Sequence, residues 1–142
     1  MIHIEAGIRL EELTEKADCL DGFFKLVSLL VEPDGFASKY KLFFGTFYEG
    51  EAVQVNDLNQ LLKEVELIEE HLQKMLVNKK LLTLVEEFKS ITNLQDYLNE
   101  QAKNMAELFY TSQGENMLET MKYNIGIAIK RKVPIIIKYY LL

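Results

Sequence analysis

Tryptophan is absent from this 142-residue chain, proline and histidine occur twice each, and cysteine once. The single Cys19 cannot close an internal disulfide, and one thiol in a chain of this size fits a reducing compartment, with Cys19 as a small buried apolar residue. No cysteine pair exists for zinc, and no glycine-rich phosphate loop or nucleophile elbow is present. A thiol–imidazole pair could be drawn only from Cys19 with His3 or His71, and nothing in the local sequence supports it. Long apolar runs are missing as well: no stretch approaches the roughly 20 residues that span a bilayer. Met1-Ile2-His3-Ile4-Glu5 lacks the basic start and apolar run of a secretory signal. The expectation is a soluble, cytoplasmic protein that engages no membrane and carries no cofactor.

What is present suits one domain over residues 1–142. Hydrophobic residues make up 49% of the chain, enough at this length to bury about two thirds of the unfolded surface. Charge is unevenly placed. All 22 acidic residues precede residue 120 with 11 of the 16 basic ones, whereas residues 120–142 carry only basic charge. An acidic body argues against nucleic-acid binding, which needs a basic face to displace counterions from phosphates. Two readings of the acids remain: they solvate helix faces, or they recruit a basic protein partner.

The periodicities predict an α+β fold. Ile2, Ile4, Ala6, Ile8 and Leu10 alternate with polar residues, the period of a half-buried strand, with His3 on the polar side. Asp21 can cap a helix through Phe23–Val31 that is apolar nearly all round. Glu32-Pro33-Asp34-Gly35 ends it. Residues 39–48 fit either a buried aromatic helix stopped at Gly50 or a strand broken at Gly45, and the terminating glycine favours the helix. Phe36, Phe43, Phe44 and Phe47 read as core.

Asn56 heads the clearest amphipathic helix, with Leu58, Leu61, Leu62, Val65, Ile68, Leu72 and Met75 on one stripe and Glu64, Glu66, Glu69 and Glu70 outside it. Val77-Asn78-Lys79-Lys80 reads as a turn, residues 81–88 as a strand or short helix, and residues 91–110 as mostly helical through Leu94, Tyr97 and Leu98. Ser112-Gln113-Gly114-Glu115 fits a capping box, which starts a helix at about Gln113. Leu118, Met121, Ile125, Ala128 and Ile129 form its buried face, and Lys130, Arg131 and Lys132 complement its dipole. Beyond Pro134, Ile135–Tyr140 reads as a strand covered on both faces, so Ile136→Asp should be among the most damaging changes. A sheet including the first and last strands, packed with about three main helices, is the expected architecture.

The glutamates of the amphipathic helix invite a metal reading. A carboxylate–histidine site, however, pairs Glu-x-x-His motifs from two helices, and Glu70-His71 lacks that spacing. No metal site is expected, and with no nucleophile or phosphate motif, binding is favoured over catalysis. A small enzyme working through carboxylates would instead require a carboxyl of strongly raised pKa in an apolar pocket.

The runs Asp21-Gly22-Phe23-Phe24, Glu32-Pro33-Asp34-Gly35-Phe36-Ala37-Ser38-Lys39-Tyr40 and Phe47-Tyr48-Glu49-Gly50 resemble the first half of the immunity 70 family of bacterial polymorphic-toxin systems. Leu62–Ile68, Leu108–Gly114 and Lys132-Val133-Pro134-Ile135-Ile136 extend the resemblance in the same order, so that it covers roughly residues 23–137. The chain departs from the family pattern in lacking tryptophan, Phe36 standing where the first would be. The resemblance implies a small α+β protein that protects its producer by binding a cognate toxin domain in a tight stoichiometric complex. A basic, nuclease-like toxin would be steered by acidic side chains. Glu66, Glu69 and Glu70 on the amphipathic helix, with Glu11 and Glu12 after the first strand, are the candidate contacts. The alternative is a non-catalytic regulatory or structural module that forms a homodimer through an open sheet edge.

Overall fold

Gly7 sets the first corner of the molecule. Its φ of +72° gives the left-handed backbone that a two-residue hairpin turn needs at its first position, a conformation glycine adopts without steric cost. The turn joins β1 (Ile2–Ala6) to β2 (Arg9–Thr14), with Ala6 paired to Arg9. The alternation read as one strand from Ile2 to Leu10 is therefore a hairpin: Ile8 sits at its tip, 92% exposed, and Leu10 lies on the open side. The computed structural model describes residues 2–14, 17–92 and 98–139, without the side chains of 17–19, 86–92 and 139. The expectations for Leu94, Tyr97 and Tyr140 lie outside the described residues, and that for Cys19 concerns a side chain outside them.

β3 (Ile135–Tyr139) pairs antiparallel with β1, which gives the sheet order β2-β1-β3. Among the described strands β1 is central and β3 lies at the edge; β3 is covered on one face and not on both, since Ile135 and Ile137 are buried whereas Ile136 is half-buried and Lys138 exposed. Ile135 and Ile137 point into the core with Ile2, Ile4 and Ala6. Ile136 is half-buried and sits opposite Glu5, whose carboxylate pairs with Lys138. The damaging substitution therefore moves by one residue. Ile137→Asp buries a charge where full burial of an isoleucine contributes about 1.5–3 kcal/mol, and it should unfold the protein. Ile136→Asp should leave a cooperative transition at a moderately lower temperature; equal losses in thermal melts would contradict the placement of Ile137 on the buried face and Ile136 on the other.

The core is aromatic at its centre. α1 (Ala17–Val31) begins before Asp21, so that residue is not the cap. Its carboxylate instead accepts from Tyr48 Oη at 2.6 Å and pairs with Lys25. Phe24 meets the rings of Phe23, Phe43, Phe44 and Tyr48 at centroid distances of 5.1, 5.2, 5.8 and 5.7 Å. Such tilted pairs contribute about 0.5–1.5 kcal/mol beyond area burial. The favoured helix over residues 39–48 is present as α2 (Lys41–Phe43), continued by a π-helical turn over Phe44–Tyr48. Phe43, Phe44 and Phe47 are fully buried; Phe36 is not, and caps Phe44 and Tyr48 from the surface.

A 3-10 turn (Val55–Asp57) leads into α3 (Leu58–Gln73), so Asp57, without a side-chain bond, occupies the cap position predicted for Asn56. Leu58, Leu61, Val65, Ile68 and Leu72 are buried as expected, while Leu62 and Met75 pack at the margin. Asn78 Oδ1 accepts from Leu81 N at 3.0 Å and opens α4 (Lys79–Thr92), which resolves the strand-or-helix ambiguity as helix. α5 (Met117–Arg131) starts at Asn116, whose Oδ1 accepts from Glu119 N at 3.0 Å. The capping box at Ser112 is not formed, because residues 111–114 make a turn. Thr111 Oγ1 accepts from Gln113 N and Glu115 N, Gly114 holds a φ of +80°, and Ser112 N donates to Leu13 O. Lys132 adopts φ +56°, and with Pro134 two residues on, the helix ends as predicted. α5 lies against β1, β2 and α3, bringing the hairpin and the amphipathic helix to one side of the molecule. The α+β architecture is as expected, with five α-helices among the described residues where about three main ones were foreseen.

Candidate interaction surface

The five glutamates singled out from the sequence fall into different settings. Glu66 and Glu70 are exposed on α3, Glu70 pairing with Lys74 one turn on at 3.3 Å. Glu69 is drawn inward: its side chain is 13% exposed and reaches Lys122 Nζ on α5 at 2.7 Å. Lys122 also binds Glu119 at 2.8 Å. Glu11 pairs with Arg9 and lines a groove of about 480 Å³ between β2 and α5, together with Glu115, Glu119 and Tyr123. Because Glu119 belongs to both the ion cluster and the groove, Glu11 and Glu69 lie on one continuous band across α5. Glu12 stands apart, since it pairs in register with His3 whereas Glu11 pairs with the inward-facing Ile4.

Glu69 and Glu119 share the Lys122 ammonium. Burial raises the pKa of Glu69, reinforced by its hydrogen bond to Glu119 and opposed by Lys122. Glu119 is lowered, first by the hydrogen bond with Glu69 and then by Lys122. Burial works against the charge of Lys122, but the bonds to Glu119 and Glu69 prevail and raise its pKa. The cluster therefore holds α3 to α5 and keeps Glu119 as the outward anion.

Glu64 left the solvated set altogether. It is buried, and its Oε1 accepts from Leu42 N and Phe43 N at 3.1 and 3.3 Å, joining α3 to α2. Burial raises its pKa against the pull of those two N–H groups. This carboxyl clamps backbone, which gives the carboxylate-enzyme reading no free acid at this position. Among the described residues no group of three His, Cys, Asp or Glu side chains converges to hold a metal ion, and no described helix is long and apolar enough to cross a membrane.

Arg9, Glu115, Glu119 and Tyr123 escaped the sequence reading. Arg9 lies 4.6 Å over the Tyr123 ring, a cation–π contact across two elements that no local pattern announces. The i, i+4, i+8 spacing of Glu115, Glu119 and Tyr123 is the available signal, and it is obscured where Glu115 reads as part of a capping box.

The sequence pattern of the immunity protein 70 family matches residues 9–137, and the chain belongs to that family. No curated protein and no solved structure matches it.

Proposed function

We propose that this member of the immunity protein 70 family binds a cognate toxin domain, delivered by contact or secretion among competing bacteria, and neutralises it by stoichiometric occlusion inside the producing cell. The observation that carries this reading is the run of acids from Glu11 across Glu119 to Glu69, with Glu66 and Glu70 exposed further round the same helix α3. A surface of that sign suits a basic, nuclease-like toxin and would accelerate its capture. Complexes of this kind commonly bury about 1,600 Å² around a few aromatic or charged anchors, and Tyr123 in the middle of the band is such an aromatic. Glu12, on the other face of the sheet, would contribute only to a wider footprint.

The test is a pull-down from the producing cell's lysate and secreted fraction with the full chain as bait at moderate salt. Recovery of one stoichiometric partner carrying a basic toxin domain supports the reading, and recovery of none opposes it. With the partner in hand, reversing Glu66 and Glu70 to lysine should slow association about tenfold at low ionic strength, with little change at high salt where the field is screened. An unchanged on-rate at low salt would exclude the α3 face and leave the groove around Glu11.

A further inference from the structure

The outward face of α5 carries a pattern that the fold itself does not explain. Glu119, Tyr123, Gly126 and Lys130 follow one another at helical spacing and are all exposed, Tyr123 by 56%. Gly126 lies in the middle of the helix, where glycine is among the least favourable residues. Nothing in the chain requires it: a Cβ built there meets no atom within 4 Å. The face is also dipolar. Beside the acidic groove of Glu11, Glu115 and Glu119 lies a second groove of about 450 Å³ lined by Arg9, Tyr123, Ile127, Lys130 and Arg131. Tyr123 and the Arg9 guanidinium over its ring line both grooves and form the wall between them.

We propose that this face pairs with its own copy, α5 against α5 in antiparallel orientation, as a two-fold symmetric homodimer. A two-fold contact must be self-complementary, and the residue spacing meets that condition. With the axis between Asn124 and Ile125, Glu119 of each copy faces Lys130 of the other, and Tyr123 faces Gly126. The acidic groove of one copy then covers the basic groove of its partner. Gly126 lets the two helices approach and provides the surface on which the opposing tyrosine ring lies. The sheet edges are poorer sites for self-association. On β3, Ile135 already exchanges backbone hydrogen bonds with Val53, and near the end of β2 the Leu13 carbonyl accepts from Ser112. On β2, two-fold self-pairing about the middle of the strand would set Glu11 of each copy against Glu12 of the other. This inference does not depend on the toxin reading, although a toxin seated on the same band would compete with the dimer.

Sedimentation equilibrium on the full chain, over a concentration series at low ionic strength, tests it. A reversible monomer–dimer equilibrium is expected. Tyr123→Ala should weaken the dimer by roughly tenfold or more, as loss of a central aromatic anchor does. Gly126→Leu should abolish it while melting no lower than wild type, because the side chain has room in the monomer and favours helix. Lys130→Glu should weaken association by placing Glu119 against glutamate, and adding Glu119→Lys in the same chain should restore it. A wild type that stays monomeric at every concentration would overturn the proposal. So would a dimer indifferent to Gly126→Leu, or a double charge swap that fails to recover while melting like wild type.

Discussion

Replacing Glu32 with glutamine is expected to lower the melting temperature by about 10 °C, the equivalent of roughly 2–4 kcal/mol in a domain of this size, although the two side chains have nearly the same shape. Glu32 is buried at the end of α1 and both of its oxygens act only as acceptors. Oε1 takes Ser28 Oγ and Ala37 N, each at 2.8 Å. Oε2 takes Lys39 N at 2.8 Å and Tyr40 N at 2.9 Å. The carboxylate thereby folds the loop after Pro33 back onto the helix and holds Ala37 at φ +58°, a conformation that costs a non-glycine residue about 1–2 kcal/mol. A glutamine must turn its NH2 toward one of the two donor pairs, leaving buried N–H groups unsatisfied and facing another donor. Thermal melts of Glu32→Gln, Glu32→Ala and wild type check this: the glutamine variant should fall close to the alanine one, and one that melts like wild type would refute the acceptor argument.

Glu64 supplies the contrast. A single oxygen accepts both backbone N–H groups there, and glutamine keeps that oxygen. Because burial raises the pKa of Glu64 in the fold, the stabilisation linked to the shift is complete below the unfolded carboxyl value and is lost as pH rises through the folded value. At neutral pH the wild type therefore carries a desolvated charge that glutamine avoids. Glu64→Gln should melt at or above wild type at pH 7, with the margin narrowing on acidification; a clearly lower melting temperature at pH 7 would contradict this.

The other large effect is expected at Phe24. Its ring is fully buried and touches four other aromatic rings, so truncation to alanine leaves a void in the rigid wall formed by α1 and residues 41–48. Loss of a buried phenylalanine costs about 3–5 kcal/mol, a large share of the roughly 5–15 kcal/mol that stabilises a typical domain. Urea unfolding should show the midpoint of Phe24→Ala falling steeply with the slope preserved. A midpoint within error of wild type would mean that the aromatic cluster is not the centre of the core.

Elements whose burial follows one local period were legible in the sequence. The stripe of α3, the buried face of α5 and the end of α5 at Pro134 came from spacing and a single residue type. The features that were misread depend on contacts between distant segments. Nothing around Ile135 says which face of the strand a helix will cover, so the apolar run reads as covered on both faces, whereas Ile136 and Lys138 lie toward solvent. The hairpin is hidden because Ile8 and Leu10 continue the apolar alternation of Ile2, Ile4 and Ala6 in sequence, although the turn puts them at its exposed tip and on the open face, and only Gly7 marks it. Buried acids were the other failure. Glu32 and Glu64 look like solvated charges until the backbone N–H groups of Ala37, Lys39, Tyr40, Leu42 and Phe43 are placed around them. The interaction surface was half legible: Glu11 and Glu69 were named, but Glu119, which joins them, was visible only once α5 had been laid across β2 and α3.

The most direct test of the proposed neutralisation by occlusion is a titration of toxin activity with this protein at a toxin concentration far above the dissociation constant. Activity should fall linearly and reach zero at one equivalent, without further change on standing. Complete loss at a small fraction of an equivalent, progressing with time, would mean that the protein destroys its target catalytically, and undiminished activity at excess would mean that the toxin is not its partner.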